Sequence, residues 1–304
     1  MYATHPIILF CYNRPTHLKK TIAALKRNEL SHLSELYVYS DAPKTAEDDD
    51  KVKKIRKFLT QVQGFKRVNV VERTSNMGLA ASVISGVSEV LQHHSACIIL
   101  EDDLETSPYF LNFMNQSLSL YEKNDTIFSV SGYCPPIQIP HNYPHEAFLF
   151  PRINSWGWAT WRNRWQKVDW DVQDFHQFIS NKTQRAQLAQ QGADLPVMLL
   201  KQQQGKIASW AVRFNQACFN HGGTNVYPIR SMVRNVGIDG SGTHMKNSGK
   251  YAVSLTHQPL NPAPALSNDS INQAFKRFYR PSLYRRCINR IKIANYIRQR
   301  SKTI

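Results

Sequence analysis

An α/β fold built on a largely parallel sheet, with helices on both faces, is what this sequence predicts. Three observations predict it. Aliphatic and β-branched runs alternate with helical stretches at regular intervals through residues 6–100, the rhythm of βαβ units. The run Ile98-Ile99-Leu100 reads as a buried strand that ends abruptly in Glu101-Asp102-Asp103. Polar or charged residues follow each of the first four runs, at the edge where open α/β sheets bind ligands.

In order, residues 6–12 form a first strand, and Asn13-Arg14-Pro15-Thr16 a turn in which Thr16 is placed to cap a helix. Helical spacing follows over 17–28 through Leu18, Ile22 and Leu25. Residues 36–40 make a second strand ending at Asp41, and 44–62 a charged helix with Val52, Ile55 and Leu59 on one face. A third strand at 68–71 leads into the loop Asn76-Met77-Gly78-Leu79, then a helix over 80–92 and the fourth strand at 96–100. Beyond the acids a helix begins at 108–114, a strand spans 127–131, and 135–144 is a proline-rich loop. A Gln-rich stretch over 184–204 reads as helical except around 192–196. Another helix covers 209–219, and 226–228 is a short strand.

At 304 residues the chain can bury a full core. It has no run of about 18 apolar residues, so no transmembrane helix is expected. The N-terminus enters a strand without the basic and apolar regions of a signal peptide. Five cysteines, odd in number and without a Cys-x-x-Cys pair, argue for a reducing, cytoplasmic setting and against structural zinc. The net charge of +16 is unevenly spread, because residues 271–304 hold ten Lys or Arg and no acidic residue. There Leu283, Tyr284, Ile288, Ile291, Ala294 and Ile297 recur at helical spacing among Arg285, Arg286, Arg290 and Lys292. A basic amphipathic helix of this kind suits an anionic membrane surface. The same pattern also describes a helix docked on the protein body with a solvated basic face. Nucleic acid is not an expected partner, since the basic patch is confined to the tail and no reading motif accompanies it.

Three adjacent carboxylates cannot be buried without counter-charge. They therefore belong at a cleft edge facing a cation, and a hard divalent metal shared with a substrate's phosphates is the natural one. A solvated acidic turn is the bland alternative. Arg14, Asp41, Asn76 and Gly78 fall at the same edge as Glu101, Asp102 and Asp103, a set that suits a nucleotide. The chain has neither a Gly-x-Gly-x-x-Gly fingerprint nor a Gly-Lys-Ser/Thr loop, so the metal would neutralise the phosphates. Five of the six tryptophans fall within residues 156–170. Such rings suit stacking on sugars or packing in a core, and Trp156, beside Gly157, is expected to be exposed. The glycine-rich run 235–244 reads as a mobile or tightly turning loop. It ends in His244, a candidate metal or phosphate ligand or an ordinary surface histidine.

The stretch Glu101-Asp102-Asp103-Leu104-Glu105-x-x-Pro108-x-Phe110-x-x-Phe113 resembles the metal-binding segment of the N-acetylglucosaminyltransferase I family. The first strand with Arg14 resembles that family's base-binding strand. Ser40-Asp41 resembles its uracil-contacting turn, and Asn76-x-Gly78-Leu79 its next loop. Ser155-Trp156-Gly157-Trp158 resembles its acceptor-side segment, and Gly240-Ser241-Gly242-Thr243-His244 its C-terminal loop. The last two regions are also similar to bacterial polysaccharide glycosyltransferases. The resemblance spans residues 5–250 and implies a GT-A fold, an inverting sugar transfer from a UDP-sugar, and Mn²⁺ (or Mg²⁺). It makes Asp103 the metal ligand, with His244 a second. Glu101 and Asp102 would contact the nucleotide-sugar or the metal's water shell, and Trp156 and Trp158 would bind the acceptor.

One departure stands out. The family places its catalytic aspartate before a helix whose counterpart here is Ile207-Ala208-Ser209-Trp210-Ala211-Val212-Arg213, which has no carboxylate. Inverting transfer needs a base to deprotonate the acceptor hydroxyl, and Asp194 and Asp239 are the candidates. The resemblance implies a GT-A domain over 1–257, with a nucleotide-binding half at 1–105 and an acceptor-binding half at 106–257. A linker at 258–270 and a membrane-association tail at 271–304 complete it. The expected function is transfer of a sugar to a glycan or lipid-linked acceptor in bacterial surface polysaccharide synthesis, peripheral on the inner face of the cytoplasmic membrane. The rivals are a catalytically impaired nucleotide-sugar or glycan-binding module and a nucleotidyltransferase.

Overall fold

A computed structural model describes residues 3–238 and 249–300. Strand β1 (Ile7–Cys11) is buried along its whole length, as a central strand covered on both faces must be. Helix α1 (Pro15–Lys26) starts with proline in its first turn, where the missing N–H costs nothing. Thr16 therefore lies inside the helix, and Arg14, not Thr16, occupies the capping position. Strand β2 (Glu35–Ser40) leads to α2 (Ala46–Leu59), which buries Val52, Ile55 and Leu59. Glu47, Asp48 and Asp49 in its first turn and Arg56 and Lys57 in its last complement the helix dipole. Then follow β3 (Arg67–Glu72), α3 (Gly78–Leu91), β4 (Ala96–Glu101), the short β5 (Leu104–Thr106), α4 (Phe110–Tyr121) and β6 (Ile127–Ser131).

The second half adds β7 (Ala147–Phe150), β8 (Trp158–Trp161), α5 (Arg162–Trp165), α6 (Phe175–Ser180), α7 (Lys182–Gln191), α8 (Leu195–Gln203) and α9 (Trp210–Asn220). After these come β9 (Thr224–Pro228), β10 (Val233–Asn235), β11 (Ala265–Leu266), α10 (Asp269–Phe278) and α11 (Leu283–Arg300).

Among the described residues the strands form a nine-stranded sheet in the order β11-β7-β9-β6-β8-β4-β1-β2-β3 and a separate β10-β5 ribbon. The β3-β2-β1-β4 portion is parallel, and β8 enters antiparallel between β4 and β6. The reversal at β8 makes the sheet mixed. Every βαβ crossover of the first half still delivers its loop to one edge.

Part of the tryptophan segment, Trp158–Trp161, is strand β8. Trp158 is 1% exposed and stacks on Trp210 with ring centroids 4.6 Å apart. Its acceptor-binding role is therefore corrected: the side chain points from β8 into the core, while Trp156, two residues earlier, stays half-buried at the surface.

The C-terminal organisation also differs from expectation. Residues 258–270 are not a loose linker. They contribute β11, which pairs with β7, and Tyr121 donates its hydroxyl to the Pro262 carbonyl at 2.7 Å. Helix α10 is part of the body, with Ile271 and Phe275 fully buried against Phe148, Phe150 and Tyr227. Of the expected membrane tail, α11 alone keeps a large exposed surface. No described helix is long and apolar enough to cross a membrane.

Candidate active site

The fourth strand carries the acids to the sheet edge. Glu101 is the last residue of β4, paired beside Phe10 of β1, and Asp102 and Asp103 form the turn into β5. Arg14, at the start of α1, donates from Nη1 to Asp103 Oδ2 at 2.8 Å. The backbone N–H of Tyr12 donates to Asp102 Oδ2 at 3.2 Å, and the Thr21 hydroxyl donates to the Asp102 carbonyl at 2.8 Å. The first βα turn thus grips the acidic turn from two sides.

This edge is short of positive charge. Burial, then repulsion by Asp103 and Asp102, pushes Glu101 up to about 8. Burial and Asp103 push Asp102 up to about 7. Asp103 Oδ1 is buried without a hydrogen-bond partner among the described residues. An orphaned carboxylate oxygen beside two carboxyls held above their ordinary range is what a cation would relieve.

A feature that sequence reasoning missed closes the site from above. Strand β10 pairs antiparallel with β5, setting Asn235 opposite Leu104. The Val236 N–H donates to the Asp103 carbonyl at 2.8 Å, and Arg234 pairs with Glu105. Gly237 lies directly on the ion pair: a Cβ there would stand 2.2 Å from Asp103 Oδ2 and 2.5 Å from Arg14 Nη2. The glycine-rich run therefore begins on top of the acidic motif. The remainder of that run, with Asp239 and His244, lies outside the described residues.

The other strand ends form a connected rim. Asp41 accepts from the N–H groups of Ala42 and Met77 at Oδ1 and of Gly78 at Oδ2, at 2.9–3.0 Å. Its carboxylate thereby latches the third βα loop onto β2. Asn76 donates to the Ala42 carbonyl at 2.7 Å. Gly78 has φ +71°, a conformation that favours glycine. Asn13, together with Tyr12 and Asp48, which the sequence did not single out, completes the rim. The Tyr12 hydroxyl and the Asn13 amide donate to Asp48 at 2.7 and 2.6 Å, hydrogen bonds that hold the Asp48 carboxyl down at about 2. In the sequence Asp48 reads as one more acid at a helix start. Nothing in its local pattern marks partners in the turn after β1.

On the other side of the β10-β5 ribbon, Trp156 meets Tyr133 edge-on at 4.6 Å and Tyr251 at 5.8 Å. Tyr251 in turn meets Phe278 of α10 at 5.4 Å. Trp156, Tyr251 and Phe278 form a half-exposed aromatic wall, with Tyr133 buried behind it. Asp194 is not available as a base: both its oxygens accept from the Arg152 guanidinium, at 2.8 and 2.9 Å.

Trp156→Ala and Trp158→Ala separate two roles. The first, at a proposed acceptor contact, is expected to raise the acceptor KM about tenfold and to cost less stability than the second, because Trp156 is half-buried against Tyr133 and the core. The second is expected to cost about 3–5 kcal/mol of stability, read by chemical denaturation.

The family model described as Glycosyl transferase family 2 matches residues 7–181. The chain belongs to this family. The acidic turn, the rim and the mixed sheet are thus parts of a GT-A glycosyltransferase domain. The likeness to the N-acetylglucosaminyltransferase I family rests on the motifs alone.

Curated proteins provide no match. Among solved structures, the chain is similar to the mannosyltransferase PcManGT from Pyrobaculum calidifontis in complex with GDP-Man and Mn²⁺. Identity is 15% over 54% of this chain and 46% of that one, with a TM-score of 0.36. It is also similar to residues 1–349 of S. aureus TarS, with 8% identity over 76% of this chain and 60% of that one and a TM-score of 0.41. The family 2 chain spans about half the length of the first. These superpositions are loose, and the fold assignment stands on the sheet topology and the family match.

Proposed function

We propose that this family 2 glycosyltransferase moves a sugar, with inversion, from a UDP-sugar to a glycan acceptor. The acceptor is lipid-linked, and the setting is bacterial surface polysaccharide synthesis at the inner face of the cytoplasmic membrane. The observation that carries the reading is the Asp103 carboxylate. One of its oxygens is bound to Arg14 and the other is orphaned, at the end of the central strand.

That donor set fits a divalent cation held through a single carboxylate and shared with substrate oxygens. Asp103 would hold Mn²⁺ or Mg²⁺, with His244 a proposed second ligand. Bound there, the metal would offset the charge that develops on the departing diphosphate. Arg14 supplies a second positive charge to that leaving group. Glu101 and Asp102 line the donor side, while Asp41, Asn76 and Gly78 shape the nucleotide pocket through the latched loop. The wall of Trp156, Tyr251 and Phe278 offers apolar faces to acceptor sugar rings. With Asp194 committed to Arg152, Asp239, two positions beyond Gly237, is the proposed base.

A second reading draws on that same commitment of Asp194. The chain would bind the nucleotide-sugar without turning it over. Calorimetric titration of UDP with and without Mn²⁺, followed by turnover of UDP-sugars in wild type and Asp239→Asn, separates the two. Metal-dependent UDP binding with turnover that Asp239→Asn removes supports transfer. Binding without any turnover supports the second reading. Failure of UDP and every other nucleoside diphosphate to bind overturns both.

A further inference from the structure

A second concave site lies between α8 and α11, outside the acidic edge. It encloses about 200 Å³. Val197 and Leu200 supply apolar walls, Tyr296 a ring, and Lys201, Lys206 and Lys292 line it with cations. No acidic side chain is among the described lining residues. Three lysines without an acidic neighbour in the described lining give the cavity a positive potential that suits an anion.

Helix α11 adds an independent observation. One face docks on the body: Ile293 packs on the cluster around Phe175 and Leu199, and Tyr296 meets Phe175 at 5.9 Å. A helix that serves only to cover the body turns a polar face to water. Here Tyr284, Cys287, Ile291 and Ala294 are exposed, and their three- and four-residue spacing forms one stripe. Leu283 is 74%, Tyr284 77% and Ile291 58% exposed. Arg285 and Arg290 flank the stripe. Lys292, adjacent to Ile291, stands between the stripe and the cavity.

We propose that α8 and α11 together form a docking site for anionic phospholipid. The lysine cavity takes a headgroup phosphate, while Leu283, Tyr284 and Ile291 enter the boundary between headgroups and acyl chains. Cations bracketing an exposed apolar stripe match a bilayer in both charge and polarity. The site narrows membrane contact from residues 271–304 to one helix. It also adds Lys201 and Lys206, which no reading of the tail contains.

The test is sedimentation of the full chain with vesicles of phosphatidylcholine alone or mixed with phosphatidylglycerol, beside a calorimetric titration with inorganic phosphate. Wild type is expected to sediment with the anionic vesicles alone. The Lys201→Gln/Lys206→Gln variant should weaken that binding about 30-fold. Tyr284→Asp/Ile291→Asp should abolish it, with melting temperature little changed in both variants because Lys206, Tyr284 and Ile291 are exposed and Lys201 is only half-buried. Equal binding to neutral vesicles, or wild-type binding by either variant, overturns the proposal. Lysine-dependent capture of free phosphate by a chain that ignores vesicles overturns it too, and assigns the cavity to a soluble ligand. None of these outcomes depends on the donor site or on turnover.

Discussion

Asp103→Asn is expected to abolish the metal dependence of UDP binding and to lower sugar transfer about a thousandfold or more, the scale of losing a group that stabilises transition-state charge. Asparagine preserves the volume of the side chain and can still accept from Arg14 Nη1, which now donates to Oδ2 at 2.8 Å. What it removes is the negative charge at the orphaned Oδ1, the oxygen proposed to hold the cation. The fold should not suffer. Glu101 and Asp102 are held above their ordinary range partly by repulsion from Asp103, so removing that charge relaxes the acidic turn. Calorimetry with and without Mn²⁺, turnover and a thermal melt check all three statements. A variant that keeps wild-type Mn²⁺-dependent binding would remove Asp103 from the metal site. One that unfolds would make the acidic turn a structural feature first.

The parallel half of the sheet was legible because its strands are short apolar runs, broken only by Asn69 in the third, and each stops at a polar turn. Residues 6–12, 36–40, 68–71 and 96–100 are recovered as β1 to β4 with small shifts at the ends. The edge holding Arg14, Asp41, Asn76 and Glu101–Asp103 followed from that alternation. Strands β5 and β10 were not legible, since each has three residues and gains its identity from pairing across more than a hundred positions of chain. With them went the placement of Gly237 over Asp103. Trp158 and Trp156 share one local pattern, and what separates them is that β8 begins at Trp158 and is buried throughout between β4 and β6, a boundary set by strand pairing and not by the aromatic run itself. Helix α10, with Lys276 and Arg277 in its last turn, runs into the same basic stretch as α11. Ile271 and Phe275 separate it from the tail by filling a pocket made of β7 and β9 residues that no local pattern reveals.

Gly237→Ala is expected to cut transfer at least a hundredfold while leaving the melting temperature within a few degrees. The added methyl would fall 2.2 Å from Asp103 Oδ2 and 2.5–2.7 Å from the Arg14 guanidinium nitrogens, well inside van der Waals contact. All three atoms are ends of side chains, and both side chains are about 15% exposed. Relief therefore comes cheaply, by parting the ion pair or lifting the turn after β10. Either movement displaces the charges meant for the leaving group, and about 1 Å of misplacement costs on the order of a hundredfold in rate. Gly132→Ala provides the contrast. Its methyl would meet the Gly157 carbonyl at 2.8 Å, the Phe110 ring at 2.6 Å and Val233 at 2.8 Å, backbone and packed core that cannot give way. That variant should lose stability as well as rate. Measuring kcat and melting temperature for both separates steric damage to the site from damage to the scaffold. Wild-type kcat and wild-type Mn²⁺ response in Gly237→Ala would mean that the Arg14–Asp103 pair is not where the chemistry is held.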